Sequence, residues 1–165
     1  MPDSLFCSIR KCWVADLPEE RIRQALILNM TQQLGYPLNW MALEKSLDQL
    51  PHIQPHPSLP KRRADLIVFA PHIHPQYALY PLLLIECKAT PLNSKVLRQL
   101  IGYNHYIQAP FIAAVNAYDL HFGFYHREIK DFKFEKQLPH YSKLIQLITQ
   151  SNKPNLRFGV GLCRS

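Results

Sequence analysis

The residues most suited to chemistry are an acid and a base at the end of an apolar segment. Residues 82–85 are four aliphatic residues, typical of a strand buried on both faces, and Glu86 and Lys88 follow them. Alternate side chains of a strand share a face, so Glu86 and Lys88 should project together while Cys87 points the other way. Charges at the end of a buried strand are costly unless they are paired or bind something. The pair therefore indicates either a structural ion pair or part of a binding site.

A second carboxylate, Asp65, stands at the start of another apolar segment, residues 64–70. Proteins usually bind Mg²⁺ through one or two carboxylates together with waters and substrate oxygens. A metal held in this way neutralises charge on a phosphate and activates a water, as phosphodiester hydrolysis requires. Asp65, Glu86 and Lys88 therefore raise the hypothesis of a metal site. The alternative for Asp65 alone is a turn residue.

The elements around these residues predict an α/β fold, with a mixed central sheet and helices on its faces. Periodicity and breaker residues predict helices over 18–34, 96–107 and 141–150, and strands over 64–70, 82–89, 111–116 and 121–128. Asp16 is expected to cap the first helix. Residues 1–17 are expected to form an arm with a short strand, and residues 39–47 fit either a helix or a strand. Proline-rich segments at 50–60 and 71–81 predict irregular loops.

Size and charge favour one basic globular domain. The 165 residues are 47% apolar, which suits a single core, so residues 1–165 are expected to be one domain. Its core would be residues 18–128, followed by a C-terminal helix and tail at 129–165. The formal net charge of +7 favours polyanionic partners, and nucleic acid first among them.

The sequence shows no sign of a membrane or secreted protein. No apolar run approaches the roughly 20 residues that cross a bilayer, and the N-terminus lacks the layout of a signal peptide. We therefore expect a cytoplasmic protein with no membrane partner. The four cysteines show no C-x-x-C spacing, which argues against a zinc site.

Short motifs follow one another in order over residues 18–128. They are Pro18–Gln24, Gly35–Pro37, Arg62–Val68, Leu83–Lys88, Gln99–Tyr103 and Phe111–Asn116. In this order they resemble the PD-(D/E)xK nuclease superfamily, and most closely the N-terminal nuclease domain of type I restriction enzyme R subunits. The E-x-K motif alone is common by chance, whereas the ordered set is far more specific. Ala64 replaces the proline of the motif name, which is not a metal ligand.

The resemblance implies a restriction-endonuclease-like fold with an αβββαβ core, and a nuclease that cleaves DNA with Mg²⁺ or Mn²⁺. Asp65 and Glu86 would be its central metal ligands, on strands that the resemblance places side by side. The backbone carbonyl of Cys87 would be a further ligand. Lys88 would orient or deprotonate the attacking water and stabilise negative charge.

Residues on two helices would complete this site. Glu20 resembles the helix carboxylate of the family and Glu19 is its rival, because successive residues of a helix lie about 100° apart. Gln99 and Tyr103 are four residues apart and share a helix face, which lies over the active site in the family. Gln99 would bond to the lysine, the water or a phosphate, and Tyr103 would contact DNA or a site residue. The alternatives are dipole compensation for Glu20 and an ordinary helix surface for the other two.

Basic residues flank the expected site and could hold the phosphate backbone of DNA. They are Lys61, Arg62, Arg63, Lys95 and Arg98. Type I R subunits carry a helicase motor after this domain, whereas this sequence ends at Ser165. The resemblance therefore implies either a stand-alone nuclease or one whose helicase and specificity partners are separate chains. A homo-oligomer is also compatible with the resemblance. The alternative functions are a non-catalytic nucleic-acid-binding module that kept the fold, and a nuclease that acts on RNA.

Overall fold

The computed structural model describes residues 4–151, and every structural statement below refers to them. In chain order the elements are β1 (Ser4–Cys7), β2 (Cys12–Ala15), α1 (Pro18–Gln32), β3 (Met41–Ser46), β4 (Arg63–Pro71), β5 (Leu79–Cys87), α2 (Ser94–Ile107), β6 (Phe111–Val115), β7 (Leu120–His126), β8 (Asp131–Glu135) and α3 (Tyr141–Ser151). Short 3-10 turns lie at Leu38–Trp40 and Leu47–Gln49. The predicted α/β class is confirmed.

The six strands from β3 to β8 form one mixed sheet in chain order, and β1 and β2 form a separate hairpin. Only β5 and β6 are parallel among these pairs, and α2 provides the crossover that parallel neighbours require. Helices α1 and α3 cover one face of the sheet, and α2 covers the other. From α1 to β6 the order is therefore helix, three strands, helix and strand.

Strand β5 is buried on both faces, as its run of aliphatic residues predicted. Leu83 and Ile85 pack in the core beneath α1 and α3, while Leu84 packs in the core beneath α2. All three side chains are fully buried. The strand begins at Leu79 and ends at Cys87, so the predicted range of 82–89 was wrong at both ends.

The early start of β5 includes a proline, which explains the error. Pro81 pairs with Phe69 just where the register with β4 shifts, between Val68 and Phe69. A bulge tolerates a residue that cannot donate a ladder hydrogen bond, so Pro81 does not end the strand. The loop predicted over 71–81 is correspondingly shorter, since β4 reaches Pro71.

The predicted cap of α1 was also wrong. Leu17 occupies the N-cap position and no side chain caps the helix there. Asp16 forms an ion pair with Arg21 instead. Pro18 in the first turn has no N–H to satisfy, and Glu19 and Glu20 lie at the positive end of the helix dipole. The helix therefore begins as predicted without a side-chain cap.

Three other segments differ from the predicted elements or extend them. Residues 39–47, which fitted either state, form a 3-10 turn and then β3. Strand β8 was not predicted, although Phe132 and Phe134 alternate there with charged residues. The tail predicted after the C-terminal helix lies outside the described residues. No helix of the described part of the chain is long and apolar enough to span a membrane.

Candidate metal and nucleic-acid site

Asp65 lies beside the end of β5. Strands β4 and β5 are antiparallel and pair Leu66 with Ile85, so the residue before Leu66 adjoins the residues after Ile85. The backbone N–H of Cys87 donates a hydrogen bond to Oδ2 of Asp65 at 2.8 Å. Asp65 and Glu86 are therefore neighbours on adjacent strands, as the resemblance implied.

Glu86 is buried and bonded to two cations through one oxygen. Its Oε1 lies 2.7 Å from Nζ of Lys88 and 2.6 Å from Nη2 of Arg62, and the side chain is 5% exposed. Its Oε2 is buried and has no hydrogen-bond partner among the described residues. An unsatisfied buried acceptor costs about 1–3 kcal/mol, and a bound cation would recover this cost.

The alternation expected along the strand is confirmed. Lys88 contacts Glu86, whereas Cys87 is fully buried in the core beneath α1. Burial raises the pKa of the Cys87 thiol to about 12, so the thiol stays protonated. Cys87 can therefore offer this site its backbone groups, but not a thiolate.

The charges of this region leave Asp65 difficult to ionise. Burial, and then the negative charge of Glu86, raises its pKa to about 6, against the opposing effects of the Cys87 N–H, Arg23 and Lys88. A carboxyl whose pKa is raised by burial and by a neighbouring carboxylate is typical of functional sites, and a divalent cation would favour its ionised form. The donor chemistry of Asp65 and Glu86 therefore fits Mg²⁺ or Mn²⁺.

Lys88 is a stable cation in this setting. Burial lowers its pKa, but the hydrogen bond and charge of Glu86 outweigh this effect, and the pKa is raised overall. A lysine that stays protonated orients a water or stabilises an anion; it does not accept a proton. Both roles expected for Lys88 stay predictions.

The two helix acids occupy different positions. Glu20 is buried, with Oε2 at 2.8 Å from Nη1 of Arg23 and Oε1 accepting a hydrogen bond from Gln24 at 2.8 Å. Glu19 is exposed, and its Oε1 accepts from the backbone N–H of Ala89 at 3.5 Å. Both acids reach the neighbourhood of the strand ends, and the choice of Glu20 stays a prediction.

Arg23 is a central residue of the site that the sequence did not reveal. It is 5% exposed and its guanidinium contacts carboxylates from three elements. These contacts are 2.8 Å to Glu20, 3.3 Å to Glu44 and 3.4 Å to Asp65. One sequence feature could have identified Arg23: it lies three residues after the candidate Glu20, and residues three apart on a helix are neighbours.

The acids are thus neutralised by side chains of the protein itself. Arg23 pairs with Glu20 and Asp65, while Arg62 and Lys88 pair with Glu86. Within residues 4–151, no group of three or more His, Cys, Asp or Glu side chains is arranged to hold a metal ion. Metal binding at this position would therefore require some of these ion pairs to separate.

A cleft of about 350 Å³ opens above Glu86 on the α2 side of the sheet. Its lining residues are Pro60, Arg62, Glu86, Lys88, Gln99, Gly102, Tyr103 and Tyr106. The cleft thus brings Gln99 and Tyr103 together with the E-x-K residues. The hydroxyl of Tyr103 donates to the backbone carbonyl of Arg62 at 2.8 Å, and the Arg62 guanidinium lies 4.7 Å from the Tyr103 ring centroid. Burial raises the pKa of Tyr103 to about 12, so this hydroxyl is a neutral donor.

The basic residues divide between two surfaces. Arg62 lines the cleft, whereas Lys61 and Arg63 line a neighbouring groove of about 610 Å³. Pro60 lines both, so the groove adjoins the cleft. Lys95 and Arg98 are exposed on α2. Within the described residues, Lys61, Arg63, Lys95 and Arg98 form no salt bridge, which leaves their charges available to a ligand.

Comparison with known proteins identifies one family that the chain matches. Searches of curated proteins and of solved structures give no significant match. The family model described as type I restriction enzyme R protein N terminus matches residues 18–139, about three quarters of the chain. The matched segment contains α1, the whole six-stranded sheet and α2, and hence every residue of the candidate site. The chain therefore belongs to the family of the type I restriction enzyme R protein N terminus.

Proposed function

We propose that this protein is a metal-dependent nuclease that hydrolyses phosphodiester bonds of DNA, with a restriction-endonuclease-like fold of the PD-(D/E)xK superfamily. The main support is the group at the strand ends: Asp65 beside Glu86, with Lys88 bonded to Glu86 at the mouth of a cleft. Membership of a restriction enzyme family supports a nuclease-related function. The element order from α1 to β6 supports the fold.

Asp65 and Glu86 are the proposed ligands of Mg²⁺ or Mn²⁺, together with the backbone carbonyl of Cys87 and the helix carboxylate Glu20. The unpartnered Oε2 of Glu86 and the raised pKa of Asp65 support this assignment. The bound ion would neutralise charge on the scissile phosphate and lower the pKa of a water. Glu19 is the rival of Glu20, and glutamine substitutions of each would decide between them by their effect on cleavage.

The side chains around the ligands have proposed roles of their own. Lys88, as a cation, orients the attacking water and stabilises the charge that develops on the phosphate. Gln99 bonds to this water or to a phosphate oxygen. Tyr103 acts through Arg62, because it holds the backbone of Arg62 and supports its guanidinium above the cleft.

DNA is the proposed substrate because the surface around the cleft is basic. Lys61 and Arg63 in the groove, and Lys95 and Arg98 on α2, would bind the backbone phosphates of DNA. A net charge of +7 adds a long-range attraction for such a partner. We also propose separate helicase or specificity chains as partners, in keeping with the family.

The test is a cleavage assay on plasmid, linear and single-stranded DNA and on RNA, with Mg²⁺, with Mn²⁺ and with EDTA. Asp65→Asn and Lys88→Met should each lower DNA cleavage by at least roughly 100-fold, a size typical of losing one electrostatic group at a reacting centre. Lys143→Met, on the exposed surface of α3, is the matched control and should cleave normally. Cleavage that survives either site substitution would overturn the site, and RNA cleavage alone would overturn the substrate.

A second candidate function is a nucleic-acid-binding module without catalysis. The observation in its favour is that every proposed ligand carboxylate is already paired with an arginine or a lysine. DNA binding measured by fluorescence anisotropy, without cleavage under any metal, would establish this function in place of the first.

A further inference from the structure

Arg23 sits where the proposed metal ligands converge. Its Nη1 is 2.8 Å from Oε2 of Glu20 and 3.3 Å from Oε1 of Glu44, and its Nη2 is 3.4 Å from Oδ1 of Asp65. The side chain is 6% exposed, and its Nε is buried without a partner among the described residues. Burying an unpaired guanidinium is costly, so the three carboxylates are what keeps Arg23 in this place.

The three contacts differ in strength. The contact with Glu20 is a short charge-assisted hydrogen bond, whereas the contact with Asp65 is at the limit of hydrogen-bonding distance. The other oxygen of Asp65 is held at 2.8 Å by the N–H of Cys87. Asp65 is thus anchored to β5, and its contact with Arg23, at 3.4 Å, is longer than the bond between Arg23 and Glu20.

Glu44 is a third carboxylate that shares the charge of Arg23 with Glu20 and Asp65. Glu44 has a φ of 50°, a left-handed conformation that a glutamate rarely adopts, and its carboxylate bridges Arg23 and Arg10. The ion pair with Arg10, at 2.5 Å, fixes this carboxylate from the hairpin side. The strained backbone of β3 therefore holds a charge that shares Nη1 of Arg23 with Glu20.

We propose that Arg23 is the counter-ion of the metal-free site: it neutralises Glu20 and Asp65 until a divalent metal binds, and it competes with that metal for Asp65. This inference rests on the metal site proposed above. It makes Arg23 a positioning residue, because it acts through the ligands and not on the substrate. Its expected signature is unusual, since removing it should improve metal binding, whereas damage to the structure would weaken it.

The test measures Mn²⁺ binding by calorimetry on the full chain without nucleic acid. Arg23→Met should bind Mn²⁺ about tenfold more tightly than the wild type, the lower end of what a neighbouring unit charge does to an ionisation equilibrium. The increase in its Tm on adding Mn²⁺ should also exceed that of the wild type, because the paired carboxylates lose their counter-ion. Arg23→Lys keeps the charge and should stay near the wild-type affinity. Arg21→Met, on the exposed side of the same helix, is the matched control and should leave the Mn²⁺ affinity unchanged.

A second variant tests the same inference without touching the buried arginine. Glu44→Gln frees Arg23 for Asp65 and should weaken Mn²⁺ binding about threefold, and the side chain of Glu44 is 41% exposed, so folding should survive. In the Arg23→Met variant, Glu44→Gln should not weaken Mn²⁺ binding further, because Glu44 acts through its contact with Arg23. An equal effect of Glu44→Gln in both backgrounds would overturn the inference.

Asp65→Asn separates the inference from the function on which it rests. If it abolishes Mn²⁺ binding and Arg23→Met fails to tighten it, the metal site stands and the role of Arg23 is refuted. If Asp65→Asn leaves Mn²⁺ binding intact, or the wild type binds no Mn²⁺, the proposed metal site falls and the inference falls with it.

Discussion

Replacing Glu86 by glutamine should abolish activity while hardly changing the stability of the metal-free protein. The substitution keeps the size and shape of the side chain and removes its charge. Its Oε1 would still accept from Lys88 and Arg62, and an amide nitrogen would take the place of the oxygen that has no partner. The charged Oε2 of Glu86 is thus needed for the proposed metal binding but contributes little to the stability of the fold.

The free energy of unfolding should change little, because weaker hydrogen bonds to residue 86 are offset by easier ionisation of Asp65. The hydrogen bonds from Lys88 and Arg62 keep their charged donors but lose the charge of their acceptor, which weakens each by up to about 1 kcal/mol. The side chains of Arg62 and Lys88 are 33% and 28% exposed, so water solvates part of their charge. The net loss of stability is therefore about 1 kcal/mol. Against it, Asp65 loses a neighbouring negative charge that raises its pKa, and this loss offsets part of the cost at pH 7. The sum lies within about 1 kcal/mol of zero.

The measurement is urea unfolding of Glu86→Gln in EDTA at pH 7, followed by circular dichroism, beside DNA cleavage and Mn²⁺ binding. Glu135→Gln, on the exposed surface of β8, is the control for removing one carboxylate. A loss of stability of about 3 kcal/mol or more would mean that Glu86 is a structural ion-pair residue, since breaking a buried pair costs this much. Wild-type cleavage by Glu86→Gln would equally refute the reasoning.

Three further predictions use the same protein. The pKa of Asp65 is raised from 3.8 to about 6, so the metal-free fold is most stable while Asp65 is protonated. Its free energy of unfolding should fall by up to about 3 kcal/mol as the pH rises from 4 to 7. In urea unfolding, Asp65→Asn should be more stable than the wild type at pH 7 and equally stable at pH 4. Lys61→Ala and Arg63→Ala should each weaken DNA binding and reduce the slope of log K against log salt by about one, whereas Lys143→Ala should leave that slope unchanged. Tyr103→Phe loses one hydrogen bond and should cost about 1 kcal/mol by the same unfolding assay; a value near zero would mean that the bond from its hydroxyl contributes nothing.

The features that sequence predicted well are those that the backbone alone dictates. Strand periodicity placed Glu86 and Lys88 together and turned Cys87 into the core, because alternation follows from the pleat. Helical spacing brought Gln99 and Tyr103 to one cleft for the same kind of reason. Such predictions need no knowledge of what packs against the element.

The features that sequence missed depend on competition between distant partners. Asp16 had the right chemistry for a cap, but Arg21 lies one turn along the helix and binds its carboxylate. Arg23 could not be recognised as buried, because two of the carboxylates that stabilise it, Glu44 and Asp65, are 21 and 42 residues away. Local patterns carry no information on which of several polar partners a side chain will choose.

The division of three consecutive basic residues between cleft and groove constrains how the chain can change in length. Arg62 lines the cleft, whereas Lys61 and Arg63 line the groove, because successive side chains of an extended chain point to opposite sides. A residue inserted between Arg63 and Ala64 would reverse this alternation, so that Lys61 and Arg63 would face the cleft and Arg62 would face the groove. The same insertion in the proline-rich loop at 51–60 would leave them in place. Length variation among homologues should therefore be tolerated up to Pro60 and stop at Lys61.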